Sequence, residues 1–565
     1  MIIDGLQLTD GATLNAEVVV VGAGPAGIVT ALELGDAGID VLLLESGRWR
    51  ADERAQRLGE SELVDPLVHA PASLTTRRQV GGTSAIWGGR CVPFDPIDFE
   101  PRDWITDARW PVGYEAIRPY FQRVCDWLRC GRAAFGTDAV PALRDQPLVP
   151  GLPDGDVRTS ALERWSLPAD FRREYGRRLR RSRNVRVVTG LVATEIVCDE
   201  RRRRVSQLAT RALSGRRIDV RGRRYVLACG GLETTRLLLA SRAPEGGSIG
   251  DHSGHLGRWY MAHVEGGVAN VHFTTPPHAT QYSYVRDVDG VYVRRRVTFA
   301  PEFQREQGLP NVVGWLANPE LADPSHRSGP LSFTYLALSS PAGPWFAPEA
   351  QRRSLTGDHV PGAPYGVSRK GPVRAHLRNV ATDGRATVRL LTGFGVRRFL
   401  PGRQPPGFFV ASPTNTYPLQ YHAEQRPNRD SRAMLADTRD ELGMPRLKVD
   451  LRFTDADVEG LVRAHAHWDA YLRRHGVGYL SYACDDAAEA IWRRIGGGFH
   501  QSGTTRMSRR PEDGVVDPDL AVHGFDDLFV ASSSTFVTSS QANSTFTIVA
   551  FALRLADHLR REVRT

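Results

Sequence analysis

The chain has 565 residues, 41% of them hydrophobic and 24% charged, which is the make-up of a folded globular protein of two or three domains and excludes wholesale disorder. The 73 basic residues exceed the 64 acidic ones to leave a net charge of +9, and almost all of that basicity is arginine, since only Lys370 and Lys448 are lysines. The arginine clusters at Arg172–Arg183, Arg201–Arg204 and Arg216–Arg224 carry a single interleaved aromatic, Tyr175, and no nucleic-acid-binding module, so they read as solvated surface.

The N-terminus lacks a basic stretch followed by a long apolar one, and no apolar run is long enough to span a bilayer; a cytoplasmic protein with no membrane partner is expected. Six cysteines are scattered without C-x-x-C pairs, which argues against a zinc knuckle, a redox disulfide or a secreted framework. No metal site is expected either. His465 and His467, at i and i+2 on a predicted helix, point apart and read as solvated.

In chain order, the first informative stretch is Val18–Gly47. Val18–Val21 is a short β-branched run suited to a buried parallel strand. Gly22, Gly24 and Gly27 follow in G-x-G-x-x-G spacing: the first permits a tight turn, the second lets backbone approach a pyrophosphate, and the third lets the next helix sit close to the strand. That helix, predicted from Pro25 to Ala37 and stopped by Gly38, aims its positive end at the phosphate. A second strand, Val41–Leu44, delivers Glu45 at the place where a carboxylate binds an adenosine ribose. The unit predicts an α/β, doubly wound dinucleotide-binding fold.

The segment Gly81–Arg90 packs four glycines around Trp87, either as backbone brought close to a ligand or as a surface turn. Val185–Val197 supplies two strands broken at Gly190. Tyr225–Ala228 is a third, followed by Gly230, Gly231 and a helical period over Leu232–Leu239; this unit either closes a second side of the nucleotide site or is a plain strand-to-helix corner. From Gly266 to Tyr482 short runs such as Val291–Phe299 and Phe333–Leu338 alternate with proline-rich turns, which predicts an inserted antiparallel sheet. Within it Tyr417–Gln425 places Gln420, His422 and Glu424 on one strand face, facing either a polyhydroxylated ligand or solvent. Thr454 and Asp457 open a scaffold helix over 455–475. In the closing section GGGFHQSG presents His500, and Asn543 precedes a final helix over 546–561; a loop histidine and an N-cap are the plain alternatives.

With these blocks in order, the chain resembles the glucose-methanol-choline (GMC) oxidoreductases. The resemblance rests on Gly22–Gly27 with Glu45, GGTSAIWGG, LACGGLETTRLLL, LGRWYMAHVEG and the region from His500 to Thr547. It implies FAD as cofactor, a discontinuous FAD-binding domain over 1–265, where a covering loop and some substrate-domain elements are included, and 491–565, and an antiparallel-sheet substrate domain over 266–490. It implies His500 as catalytic base with Asn543 as partner. The flavin contacts it implies are Gly22, Gly24, Pro25, Ala26, Gly27, Glu45, Ser46, Gly82, Thr83, Trp87, Gly88, Val192, Ala228, Gly230, Ser533, Asn543, Ser544 and Thr545. Ile86 stands where some sugar-oxidising relatives attach FAD through a histidine, so the flavin is expected to be non-covalent. Ser544 replaces the family's usual proline after the asparagine, and Ser532 a common glycine. The block RCVPFDPIDFE resembles bacterial members acting on sugars and aminoglycoside-like compounds. The expected activity is oxidation of an alcohol of a sugar, glycoside or aminosugar-like substrate, with dioxygen as acceptor. A dehydrogenase using a quinone or protein acceptor, and a non-catalytic flavin-binding protein, are the alternatives.

Overall fold

A computed structural model describes residues 1–199, 203–362, 370–482 and 484–564. The order of one sheet follows from the apolar runs. Strands β1 (Ile2–Asp4), β2 (Ala12–Val21), β3 (Val41–Glu45), β4 (Val185–Thr189), β5 (Leu191–Asp199), β6 (Arg204–Ala212) and β7 (Arg217–Leu227) lie in the order β1-β4-β3-β2-β7-β6-β5. A late strand, Leu528–Val530, pairs in parallel with β7. The glycine unit sits at the centre, where Val18–Val21 pairs with Val41–Leu44 on one side and with Arg224–Leu227 on the other. Both partners are parallel, so both faces of β2 are covered, and Val18, Val19 and Val20 are fully buried. The first helix, Pro25–Asp36, packs with the last, Thr545–Arg564, on this sheet. β5 and β6 form an antiparallel hairpin. Arg201 and Arg202, in the connection between them, lie outside the described residues.

The second large sheet is antiparallel. Its centre is β8 (His263–Phe273), β9 (Val312–Leu316), β10 (Thr416–Glu424) and β11 (Gly478–Tyr482), in the order β11-β8-β10-β9. Alternation along β10 sorts its side chains. Tyr417, Leu419, Tyr421 and Ala423 join Val458, Leu461, Trp468 and Leu472 of the helix Asp455–Arg474 in one apolar core. Gln420, His422 and Glu424 take the other face, as expected of a two-residue period.

The residues at 265/266, where the domain division is expected, lie inside β8, and Val157–Arg158, which precedes it, joins the second sheet as an edge strand. Three expectations are corrected. Phe333–Leu338 is not a strand but part of a helix, Gly329–Ser339. Leu331, Tyr335 and Leu338 are its buried apolar residues, a helical spacing, and the Ser328 hydroxyl accepts from the Leu331 N–H. Val291–Phe299 is split at Arg296 between two sheets. His465 is not solvated: it is buried, and its Nδ1 donates to the Leu461 carbonyl at 2.9 Å. The helix itself opens on the expected Thr454/Asp457 capping box.

Burial pushes His465 down to about 4, and His69, also buried, to about 4. Both are therefore neutral in the folded chain over a range where the unfolded chain binds protons. Stability is predicted to fall as pH drops from about 6.5 towards 4, by at most about 1.4 kcal/mol per pH unit for each histidine. Urea unfolding across that window checks this, and His465→Gln flattens the slope.

Candidate active site

A cavity of about 270 Å³ opens at the ends of β2, β3 and β7. Three helices begin on its wall, at Pro25, Gly231 and Thr545, so three sets of free backbone N–H groups and three positive helix ends converge on one space. Such a space suits a ligand with a diphosphate and other anionic centres. The glycines divide the work as the motif predicts. A Cβ on Gly22 would lie 2.5 Å from the Ala228 carbonyl oxygen, and one on Gly27 would lie 1.8 Å from that of Gly22, whereas one on Gly24 would meet nothing within 4 Å. Gly22 and Gly27 keep the backbone tight, and Gly24 lines the open cavity. Glu45 is buried beside the turn, accepting from Ala23 N at 2.9 Å and Gly47 N at 2.8 Å, and burial raises its carboxyl against the pull of those bonds.

Of the flavin contacts expected, Gly22, Gly24, Pro25, Ala26, Glu45, Ser46, Gly82, Thr83, Trp87, Val192, Ala228, Gly230, Ser533, Ser544 and Thr545 line the cavity. Gly27, Gly88 and Asn543 are not on its wall. Arg78, Cys229, Glu233 and Gln501 line it without having been expected. Arg78 pairs with Glu233, whose carboxyl burial would raise but Arg78 and Arg236 hold low. Gln501 was within reach of sequence reasoning as the neighbour of His500; its Oε1 accepts from Leu232 N at 3.3 Å, tying the closing segment to the second glycine unit.

At the cavity's end His500 is brought together with Asn543, whose Nδ2 lies 3.0 Å from His500 Nε2. Asn543 is not the helix N-cap. Ser544 accepts the first helical bond, from Ile548 N, and leaves the asparagine amide to the histidine. The other His500 nitrogen, Nδ1, is 3.0 Å from His263 Nδ1 and 3.7 Å from Glu265. Cross-strand register pairs Glu265 with His422, and His422 Nε2 lies 2.9 Å from Glu265 Oε1. Sequence reasoning missed His263 and Glu265, although alternation in Ala262-His263-Val264-Glu265 places them on one face.

His263, Glu265, His422 and His500 offer ligand atoms within 4.8 Å of one another, the composition of a metal centre. They are also complementary as hydrogen-bonding groups. His263 Nε2 faces the Ser539 carbonyl at 3.0 Å and must donate, which leaves His263 Nδ1 as an acceptor. His500 Nδ1–H then donates to it, and His500 Nε2 carries the lone pair that meets the Asn543 amide. His422 Nδ1 faces the Gln541 carbonyl, and its Nε2 faces Glu265. Burial lowers His500 to about 4, with Glu265 opposing and His422 and Arg90 assisting. His263 is held well below the usual histidine range, by burial and by His422 and His500.

The other residues of the expected substrate face differ. Glu424 forms a fully buried bidentate pair with Arg102, at 2.8 Å through Nη2, and also accepts from Asn311 N, so its carboxylate is engaged inside the fold. Gln420 is buried opposite Gly267 and Trp315 and off the cavity wall.

Two family models match: "GMC oxidoreductase" over residues 427–552 and "FAD binding domain" over 15–60. The chain is a GMC oxidoreductase. Like the family it is an FAD-dependent enzyme acting on CH–OH groups, and the cavity's three helix ends, open Gly24 and buried Glu45 fit that cofactor. Paromamine 6'-oxidase of Streptomyces fradiae is 24% identical over 96% of this GMC chain and 90% of its own, and 6'''-hydroxyparomomycin C oxidase of Streptomyces lividus is 23% identical over 96% and 92%. Among solved structures, pyridoxine 4-oxidase from Mesorbium loti shares the fold with a TM-score of 0.57 at 18% identity, over 97% of this chain and 99% of that one.

The glycines give a paired test of the cavity. Gly24→Ala is predicted to fold with unchanged apoprotein melting but to purify with little flavin, because its methyl group enters the cavity. Gly27→Ala should destabilise the chain itself by about 1–3 kcal/mol or more, since the clash is with backbone. Flavin absorbance and thermal melting of the two variants separate the effects.

Proposed function

We propose that this enzyme oxidises an alcohol group of a sugar or aminosugar-like compound, with His500 as base, Asn543 as its partner and dioxygen as final acceptor. The observation that carries the reading is the 3.0 Å contact of Asn543 Nδ2 with the lone-pair nitrogen of a half-buried, neutral His500 on the flavin cavity's wall. The two oxidase relatives that span nearly the whole chain support the substrate class and the acceptor.

FAD, when bound, supplies a two-electron acceptor for the hydride of the alcohol carbon. The protein's part is to take the hydroxyl proton and hold the carbon still. An alcohol oxygen entering between His500 and Asn543 gives its proton to His500 Nε2 while accepting from Asn543 Nδ2, so the two side chains fix its position as the alkoxide forms. The imidazolium that results has Glu265 3.7 Å from its Nδ1. Backbone N–H groups at the Thr545 helix start face the cavity and favour negative charge developing there. His263 acts through His500, by holding the tautomer that leaves Nε2 free.

Anaerobic mixing of the yellow protein with sugars, glycosides, aminoglycosides and simple alcohols is expected to bleach the flavin with the sugar-like compounds. His500→Ala should slow that bleaching by about a hundred- to ten-thousand-fold with FAD still bound. His263→Leu should slow it about tenfold, with partial recovery in His263→Gln, whose amide oxygen can accept from His500. Bleaching at the parent rate in His500→Ala rejects the assignment.

Ile86 offers no nitrogen for attachment, which supports non-covalent FAD. Acid precipitation is expected to release the yellow colour into the supernatant; colour retained on the pellet would overturn this.

A further inference from the structure

Between residues 373 and 399 the chain builds a run of helices whose polarity is reversed. The helix Val373–Thr382 packs against Gly329–Ser339, yet it turns polar side chains inward: His376 Nδ1 and Asn379 Nδ2 both lie 3.1 Å from the buried Ser332 hydroxyl, and His376 stacks on Tyr335. Its apolar residues Val373 and Leu377, one turn apart, face solvent. A helix of a water-soluble domain normally does the opposite.

The reversal continues through Gly384–Phe399, where Val388, Leu391 and Phe399 are exposed, and reaches Trp345, 85% exposed, through a ring contact between Phe346 and Phe399 at 5.9 Å. Nine of the seventeen large apolar side chains exposed among the described residues fall between 345 and 400. Scattered exposed apolar residues need no explanation, but this density marks an interaction surface.

Charge selects the occupant. From 371 to 400 there are six arginines and one acid, Asp383. Asp383 is spent inside the fold, accepting from Gly329 N at 3.0 Å, whereas Arg374, Arg378, Arg385, Arg389 and Arg397 are exposed among the apolar residues. A second copy placed on the same patch would bring like charges together. Nucleic acid would satisfy the arginines but leave the valine, leucine and phenylalanine side chains without a partner. An anionic lipid surface satisfies both, by taking apolar side chains at the acyl boundary and guanidinium groups at the headgroups.

We infer that this helical face docks the enzyme peripherally on anionic lipid bilayers. The binding is interfacial: no helix among the described residues is long and apolar enough to cross a membrane, and none is needed. The expectation of no membrane partner, drawn from the lack of a spanning run, does not address this mode.

Cosedimentation of the FAD-loaded enzyme with vesicles tests it. On phosphatidylcholine mixed with phosphatidylglycerol the bound fraction should exceed that on phosphatidylcholine alone at least tenfold and fall as salt is raised. The double variant Trp345→Ser/Phe399→Ser, and separately Arg389→Gln/Arg397→Gln, should each lower binding about tenfold while flavin absorbance and alcohol oxidation stay at parent values. Equal binding to neutral vesicles, no binding to either, or binding that both variants leave unchanged would overturn the inference. So would light scattering that finds a dimer which Trp345→Ser/Phe399→Ser dissolves, or retention on DNA stronger than on the anionic vesicles.

Discussion

The proposed base must be neutral before the reaction and must present one particular nitrogen; desolvation supplies the first condition, and the hydrogen bond between His263 Nε2 and the Ser539 carbonyl supplies the second. It converts an imidazole with two equivalent choices into one that can only accept at Nδ1, and His500 follows. The bond also crosses the molecule, because His263 begins a strand of the antiparallel sheet and Ser539 lies in the closing segment that carries Asn543. That segment is stitched to the rest at successive residues. Ser539 Oγ accepts from Gln425 N, Ser540 Oγ donates to Asp98, Gln541 Nε2 donates to Asp95, and the Gln541 carbonyl takes the His422 N–H. The pair His500–Asn543 is thus set by contacts from both sheets.

The stitching carries a buried polar network whose value lies in position more than in stability. Arg102 and Glu424 are both fully buried, and Asn311 bridges from Glu424 to Asp98 and Asp95. A pair of this kind roughly balances its desolvation cost, so replacing it by apolar groups need not destabilise the fold. What it provides is a fixed anchor under Ser540 and Gln541. Asp98, which burial and the neighbouring Asp95 push up to about 7, is held in place by Ser540 and Asn311.

How much of this could be read from the sequence depends on how local the determining signal is. The glycine turn, its helix, the second strand and Glu45 sit within thirty residues, and each has a periodicity or conformational reason of its own, so the nucleotide unit was legible. The alternation in Thr416–Glu424 likewise gave the correct face for His422. It could not reveal that Glu424 on that face is claimed by Arg102, 322 positions away. Nor could it give the Glu265–His422 pairing, which is a matter of register between strands about 157 residues apart. The helix Gly329–Ser339 was misread because an aromatic- and aliphatic-rich run satisfies a two-residue and a four-residue period equally until its cap is noticed. His465 escaped because spacing argues against metal ligation but is silent on burial.

In the proposed reaction the strength of the base is a contest decided by the antiparallel sheet. Burial alone would make His500 a reluctant proton acceptor, and the Arg90 guanidinium and His422 push the same way, while Glu265 opposes them. Glu265 is itself held ionised by His422 against a strong desolvation penalty. The carboxylate therefore stands near Nδ1 before any proton moves, so the imidazolium meets a charge already in place and little reorganisation is required as it forms. Arg90 meanwhile lies 4.8 Å over the Trp315 ring and pairs with Glu163. Its positive charge weakens His500 as a proton acceptor, and Glu265 offsets that effect. The same strand face that sets the tautomer thus sets the driving force, and the cavity's helix ends receive the charge that the alcohol gives up.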